Sequence, residues 1–138
     1  MPADHTAQAV GGHETLLVVE DNTQLRELAT LILRRKGYQV LTADTGEAAL
    51  ALLEYHHGPL HLLLTDVIMP GLNGRQLYEL VAQRYPDVAV LYMSGYIDEA
   101  VVKSESIERA ESFLQKPFSV QALAGRVRAL LDGKKSIG

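Results

Sequence analysis

Five side chains could do chemistry together: the carboxylates Glu20, Asp21 and Asp66, the hydroxyl of Ser94 and the ammonium of Lys116. Each follows a short apolar run. Leu16-Leu17-Val18-Val19 leads into Glu20-Asp21, Leu62-Leu63-Leu64-Thr65 into Asp66, Val88 to Met93 into Ser94, and Phe113-Leu114-Gln115 into Lys116. If those runs are strands of one parallel sheet, their carboxyl ends share an edge, where ligands collect in open sheets of this kind. Three ionised carboxylates there would repel and raise one another's proton affinity. One ammonium cannot balance them, whereas a hard divalent cation with oxygen ligands can. Mg²⁺ fits best, because it binds through one or two carboxylates, keeps several waters and completes its shell with phosphate oxygens. Such an ion beside Lys116 and Ser94 makes a cradle for a phosphoryl group, whose transfer needs positioning and charge neutralisation. Asp66, on the central run, is the natural nucleophile, since carboxylates accept phosphoryl groups as aspartyl phosphates. Alone, Asp66 could simply open the turn into Pro70-Gly71. The convergence of four strand ends favours a site.

The elements that must position these groups alternate in type. Strands are expected over 15–20, 38–43, 60–66, 88–93 and 112–115, the third bounded by Gly58-Pro59 and Pro70-Gly71. Between them lie helical patterns. Asn22 or Thr23 caps a helix with Leu25, Leu28, Ala29, Ile32 and Leu33 inward, and Thr45 caps one with Ala48, Ala49, Leu52 and Leu53. Asn73 opens a third carrying Leu77, Leu80 and Val81, and a short fourth is expected over 97–102 before a charged loop. Ser119 caps a last helix with Val120, Leu123, Ala124, Val127, Leu130 and Leu131 on one face. Five strand–helix repeats predict a parallel sheet with helices on both faces, joined by right-handed crossovers. Residues 1–14 read as a flexible leader or linker, 15–132 as the domain and 133–138 as a disordered tail.

Composition narrows the classes. At 138 residues with 47% hydrophobic and 22% charged residues, the chain makes one soluble domain with a proper core. A net charge of −4 argues against nucleic acid or an anionic membrane surface as partner. Without cysteine there is no thiolate nucleophile or Cys-based zinc site. No apolar run approaches the roughly 20 residues of a membrane span, and 1–13 is no secretory signal, so a cytoplasmic domain is expected. His5, His13, His56, His57 and His61 offer no convincing ligand geometry.

With these residues in view, the chain resembles a response-regulator receiver domain over about residues 15–132. The resemblance rests on Glu20-Asp21, on Thr65-Asp66-Val67-Ile68-Met69-Pro70-Gly71-Leu72-Asn73-Gly74, on Ser94, and on Lys116-Pro117-Phe118. It implies a flavodoxin-like (βα)5 doubly wound fold with strand order 2-1-3-4-5, an order the general description of this fold already gives for one receiver. It implies that Asp66 takes phosphate from a phosphohistidine, donated by a histidine kinase dimerisation domain or a histidine phosphotransfer protein. Glu20, Asp21, Asp66 and the backbone carbonyl of Ile68 would hold Mg²⁺, or Mn²⁺ in its place. Lys116 would pair with Asp66 or its phosphate, across a cis bond to Pro117. Ser94 and Phe113 would form the switch, reshaping a surface made by the fourth helix, fifth strand and fifth helix. Phe113 replaces the more frequent tyrosine and lacks its hydroxyl. Ile68 and Tyr96, two residues beyond Asp66 and Ser94, would tune water access and slow hydrolysis of the phosphoryl group. The isolated domain would be no enzyme beyond its own phosphotransfer and autodephosphorylation. A weak homodimer is compatible with the family.

Gly11 to Thr15, Met93 to Tyr96 and Phe113 to Phe118 resemble receivers at the C-terminal end of hybrid histidine kinases. That origin, which would tether the domain to a membrane-bound kinase, is weighed against a stand-alone single-domain regulator. A dehalogenase-like phosphatase would also use an Asp nucleophile, Lys and Mg²⁺. It needs a second acid two residues beyond the nucleophile, where Ile68 stands. A flavin- or nucleotide-binding module would want a phosphate cradle after the first strand, which Glu20-Asp21-Asn22 would repel.

Overall fold

In a computed structural model that describes residues 11–95 and 112–137, the apolar runs form one parallel sheet. The strands are β1 (Thr15–Val19), β2 (Gln39–Ala43), β3 (Leu62–Asp66), β4 (Ala89–Ser94) and β5 (Phe113–Gln115). Their order is β2-β1-β3-β4-β5, with every pairing parallel. This is the doubly wound, flavodoxin-like order expected from the sequence. β1 and β3 are buried at every position, which accounts for their unbroken apolar character. β2 and β5 lie at the edges and expose residues in turn.

The sheet is covered on both sides. On one face α1 (Thr23–Arg35) and the C-terminal helix α4 (Val120–Ile137) pack Ala29, Ile32, Leu33, Leu123, Val127 and Leu131 against Leu16, Val18, Leu62, Leu64 and Leu91. On the other, α2 (Gly46–Tyr55) and α3 (Gly74–Arg84) bring Ala49, Leu53, Leu77 and Val81 onto Leu17, Val19 and Leu63. Truncating one of these leucines to alanine costs about 2–5 kcal/mol, so both layers are needed to hold the strand ends in register.

Local chemistry fixes the helix ends. The Asn22 side chain accepts the Leu25 N–H at 2.9 Å, Thr45 that of Ala48 at 3.0 Å, and Ser119 that of Ala122 at 3.0 Å. Asn73 and Gln76 form a reciprocal capping box. α1 closes in a Schellman turn: Gly37, at φ +100°, donates to the Arg34 carbonyl, and Tyr38 reaches back to Leu33. The edges carry guanidinium groups. Arg34 Nη2 donates to the Val40 carbonyl of β2 at 3.0 Å, and Arg126 Nη1 to the Phe113 carbonyl of β5 at 3.0 Å.

Some boundaries differ from expectation. Leu28 does not belong to the buried stripe of α1 but is 46% exposed, and Leu80 and Val120 are likewise exposed. The buried stripe is turned away from Leu28 toward Thr30, which is buried with its hydroxyl bonded to the Arg26 carbonyl. The last helix continues to Ile137, past the tail boundary at 133. Gly133 costs a helix only about 1 kcal/mol, so it does not stop this one. The leader boundary also shifts: Gly12 N–H donates to the Lys36 carbonyl at 3.0 Å and the Glu14 carbonyl receives Gln39 N–H at 3.0 Å. The helix expected over 97–102, the charged loop after it and Tyr96 lie outside the described residues.

Candidate functional site

The sheet order sets β1 and β3 side by side at the centre, so the groups that follow them must meet. Glu20, one residue past β1, is 1% exposed, and Asp66, the last residue of β3, is 3% exposed. With the exposed Asp21 they form a set whose oxygen atoms lie within 4.8 Å of one another. Lys116 arrives from the far edge. Its N–H donates to the Ser94 carbonyl at 2.8 Å, continuing the β4–β5 pairing, and its bond to Pro117 is cis. The ammonium lies 2.8 Å from Glu20 Oε1 and 2.5 Å from Asp66 Oδ1. Ser94 ends β4 half-buried, beside the β5 register that pairs it with Gln115.

The acidic edge is held from behind. Glu20 Oε2 accepts the Asn22 N–H at 2.9 Å, and the Glu20 carbonyl accepts from Arg26 Nη1 at 2.8 Å. After Asp66 the chain turns tightly. Val67 N–H donates to the Met93 carbonyl and Gly74 N–H to the Val67 carbonyl. A Cβ on Gly74 would stand 2.1 Å from the Asp66 carbonyl oxygen, so only glycine lets α3 begin this close to β3. Gly71 takes φ +76°, and Glu47 of α2 accepts the next amide, that of Leu72, at 3.3 Å. Ile68 is 75% exposed on this loop.

Electrostatics sorts the two buried acids. Burial pushes the Asp66 carboxyl up to about 7, helped by the Glu20 carboxylate beside it and opposed by Lys116. Glu20 is buried as well, but Lys116 and the Asn22 amide outweigh that and hold it below the usual carboxylate range. Burial works against the Lys116 ammonium, yet Asp66 and Glu20 keep it charged more firmly than usual. Among the described residues, Glu20 Oε1 and Asp66 Oδ1 meet only the Lys116 ammonium, and Asp66 Oδ2 meets no donor. An orphaned, buried carboxylate oxygen beside two further acids suits a hard divalent cation. The donor set is all oxygen, as Mg²⁺ requires.

The structure therefore brings Glu20, Asp21, Asp66 and Lys116 to one place, with Ser94 one strand away. Phe113 is half-buried and packs on a small cluster of Val67 and Tyr92, which Val90 joins to the core beneath α2 and α3. Two features, one at this site and one far from it, had no signal in the sequence. Arg26 looks like any helix-surface arginine, and its hold on Glu20 depends on how α1 leaves β1. Glu14 and Arg128, 114 residues apart, form a partly buried ion pair at the opposite end of the sheet.

A parallel sheet of this order, with an acidic pocket and lysine at its carboxyl edge, defines a class, and comparison with known proteins agrees. Residues 16–128 match the response regulator receiver domain, and the chain belongs to that family, the receivers of two-component signal transduction. It is 32% identical over 126 residues to the sensor kinase CckA of Brucella abortus, covering 91% of this chain but 13% of that protein. It is 38% identical over 110 residues to the response regulator FleR of Pseudomonas aeruginosa, covering 78% of this chain and 22% of that protein. Among solved structures, the receiver domain of the hybrid histidine kinase CckA superposes with a TM-score of 0.69 at 35% identity, covering 85% of this chain and 98% of that one. This chain thus spans a small part of the two full-length relatives. No helix among the described residues is long and apolar enough to cross a membrane.

Proposed function

We propose that this receiver accepts a phosphoryl group from phosphohistidine onto Asp66, and that it serves in a phosphorelay as part of a hybrid histidine kinase. The observation that carries the reading is Asp66 itself: a buried carboxylate with an orphaned oxygen, two acids and one ammonium around it. Ionised Asp66 attacks the phosphorus. Its P–O bond forms as the P–N bond breaks, and the imidazole leaves with the electron pair. Lys116 holds Asp66 in place and balances charge on the incoming phosphoryl oxygens. Glu20, Asp21, Asp66 and the Ile68 carbonyl would hold Mg²⁺, which when bound supplies further neutralisation of the transferring oxygens. The Ser94 hydroxyl donates to the phosphoryl group once it is in place, and Phe113 shifts against Tyr92 and Val67 in response. The switch shifts a population between two surfaces.

The donor is a histidine kinase dimerisation domain or a histidine phosphotransfer protein, meeting the domain in the cytoplasm. The likeness to the CckA receiver supports the hybrid-kinase origin over a stand-alone regulator. Intact mass after incubation with acetyl phosphate, with and without Mg²⁺ and beside Asp66→Ala, tests the phosphoacceptor. A single Mg²⁺-dependent adduct absent from the variant is the expected result. An adduct of equal yield in Asp66→Ala would overturn it. The native gene product tests the origin, since a hybrid kinase is several times longer than this domain.

A further inference from the structure

At the end of the sheet remote from Asp66, a second charged centre joins three segments. Glu14, just before β1, is 2% exposed, and both its oxygens face one guanidinium: Arg128 Nη1 at 3.1 Å and Nη2 at 2.8 Å. The same Arg128 donates to the Gly11 carbonyl at 3.2 Å, the Tyr38 hydroxyl at 3.3 Å and Asp132, through Nε at 3.1 Å and Nη2 at 2.8 Å. The fit is close. A Cβ on Gly12 would lie 2.3 Å from Arg128 Nη1 and from Glu14 Oε1, and 2.8 Å from the Tyr38 ring. The chain entering the domain is thus threaded against a side chain of its last helix.

A partly buried ion pair such as this is a poor device for stability alone, because desolvation offsets much of its attraction. What it does supply is a fixed direction, here between the entering chain and α4. That helix begins just beyond Lys116, and Arg126, two residues before Arg128, grips the Phe113 carbonyl of β5. From Lys116 the chain passes through Pro117 and Phe118, which packs on the same core as α4, into that helix, where Arg126 holds β5 and Arg128 holds Glu14 and Gly11.

We propose that the Glu14–Arg128 pair is a linkage that carries a change of state at Asp66 to the chain entering the domain at Gly11. It rests on Asp66 being the phosphoacceptor, and it gives a preceding domain a means of sensing that state without touching the pocket. The coupled element is α4, which β5 and Lys116 bias from one end and the ion pair reads at the other.

Amide hydrogen exchange tests this on the whole chain, with beryllofluoride and Mg²⁺ as the phosphoryl probe. The His13 amide is bonded to Glu14 Oε1 and reports on the linkage directly, while the Gly12 and Thr15 amides, bonded to the Lys36 carbonyl and His61 Nδ1, report on the segment that flanks it. The probe should change their exchange by about threefold or more in the wild type. Arg128→Gln should abolish that change while peptides around Asp66 still respond. Glu14→Gln, which keeps shape and volume, provides the same reading if Arg128→Gln fails to fold. Wild-type Gly12–Thr15 amides that ignore the probe while the Asp66 peptides respond would overturn the linkage, as would an undiminished response in both variants. If the Asp66 peptides are themselves indifferent, the phosphoacceptor reading has failed and the linkage falls with it.

Discussion

Asp66→Asn should make the metal-free domain more stable at neutral and alkaline pH, and the gain should vanish in acid. Asp66 is nearly sealed from water, and its carboxyl moves from an ordinary 3.8 to about 7 on folding. The fold therefore prefers the protonated form. Below about pH 4 the group is protonated folded or unfolded and makes no difference. Between about pH 4 and 7 the unfolded chain ionises while the folded one resists, so stability drains away as pH rises, and above 7 the full penalty stands. At about 1.4 kcal/mol for each tenfold change in proton affinity, the upper bound is near 4 kcal/mol. Glu20 and Lys116 readjust around the charge, so about 2–4 kcal/mol is the range to expect. The assay is urea unfolding in a chelator at about pH 4 and about pH 8, for wild type and Asp66→Asn. The difference between the two proteins should grow by that amount from acid to alkali, other titrating groups cancelling in the comparison. Mg²⁺ should then stabilise the wild type and not the variant, by mass action. Stability curves of the two proteins that run parallel across this range would show that Asp66 is not strained by its burial, and the case for its orphaned oxygen would collapse.

Gly74→Ala places a methyl group against the Asp66 carbonyl and should lower stability by roughly 1–3 kcal/mol while slowing phosphorylation, read by thermal unfolding and by adduct formation. Lys116→Met leaves Glu20 and Asp66 without their shared cation and should slow phosphorylation by about a hundredfold or more, measured as the rate of mass adduct growth. Ile68→Asn replaces an exposed apolar side chain on the loop after Asp66 with one that can orient water; the phosphoryl half-life should shorten, by about threefold or more, followed by loss of the adduct over time.

The fold was legible because its signals were redundant. Leu62 to Asp66 reads as a buried strand from its composition, and Asn22, Thr45, Asn73 and Ser119 each mark a helix start that their side chains indeed cap. Strand alternation then put Glu20, Asp66 and Lys116 on one edge before any distance was known. What stayed hidden depended on tertiary geometry. Nothing in Gly12-His13-Glu14 distinguishes a docked segment from a flexible leader until Arg128 is brought across by α4. Leu28 keeps perfect helical spacing yet faces water while Thr30 is buried, because spacing describes a helix and not how it is turned on the sheet. The contact of Arg26 with Glu20 needed the exit angle of β1, which no local pattern encodes.

The guanidinium groups at the two sheet edges have a consequence for self-association. In a parallel strand alternate residues turn their peptide groups outward, and the Val40 and Phe113 carbonyls are such groups. An open carbonyl on an edge is an invitation to a stray strand from another molecule. Arg34 and Arg126 answer both, one from each of the helices that cover the same face. One outward carbonyl is thereby covered on each edge of the five-stranded sheet. Copies of this domain that meet at high concentration are steered away from strand-to-strand polymerisation, and any pairing between them is left to the helical surfaces.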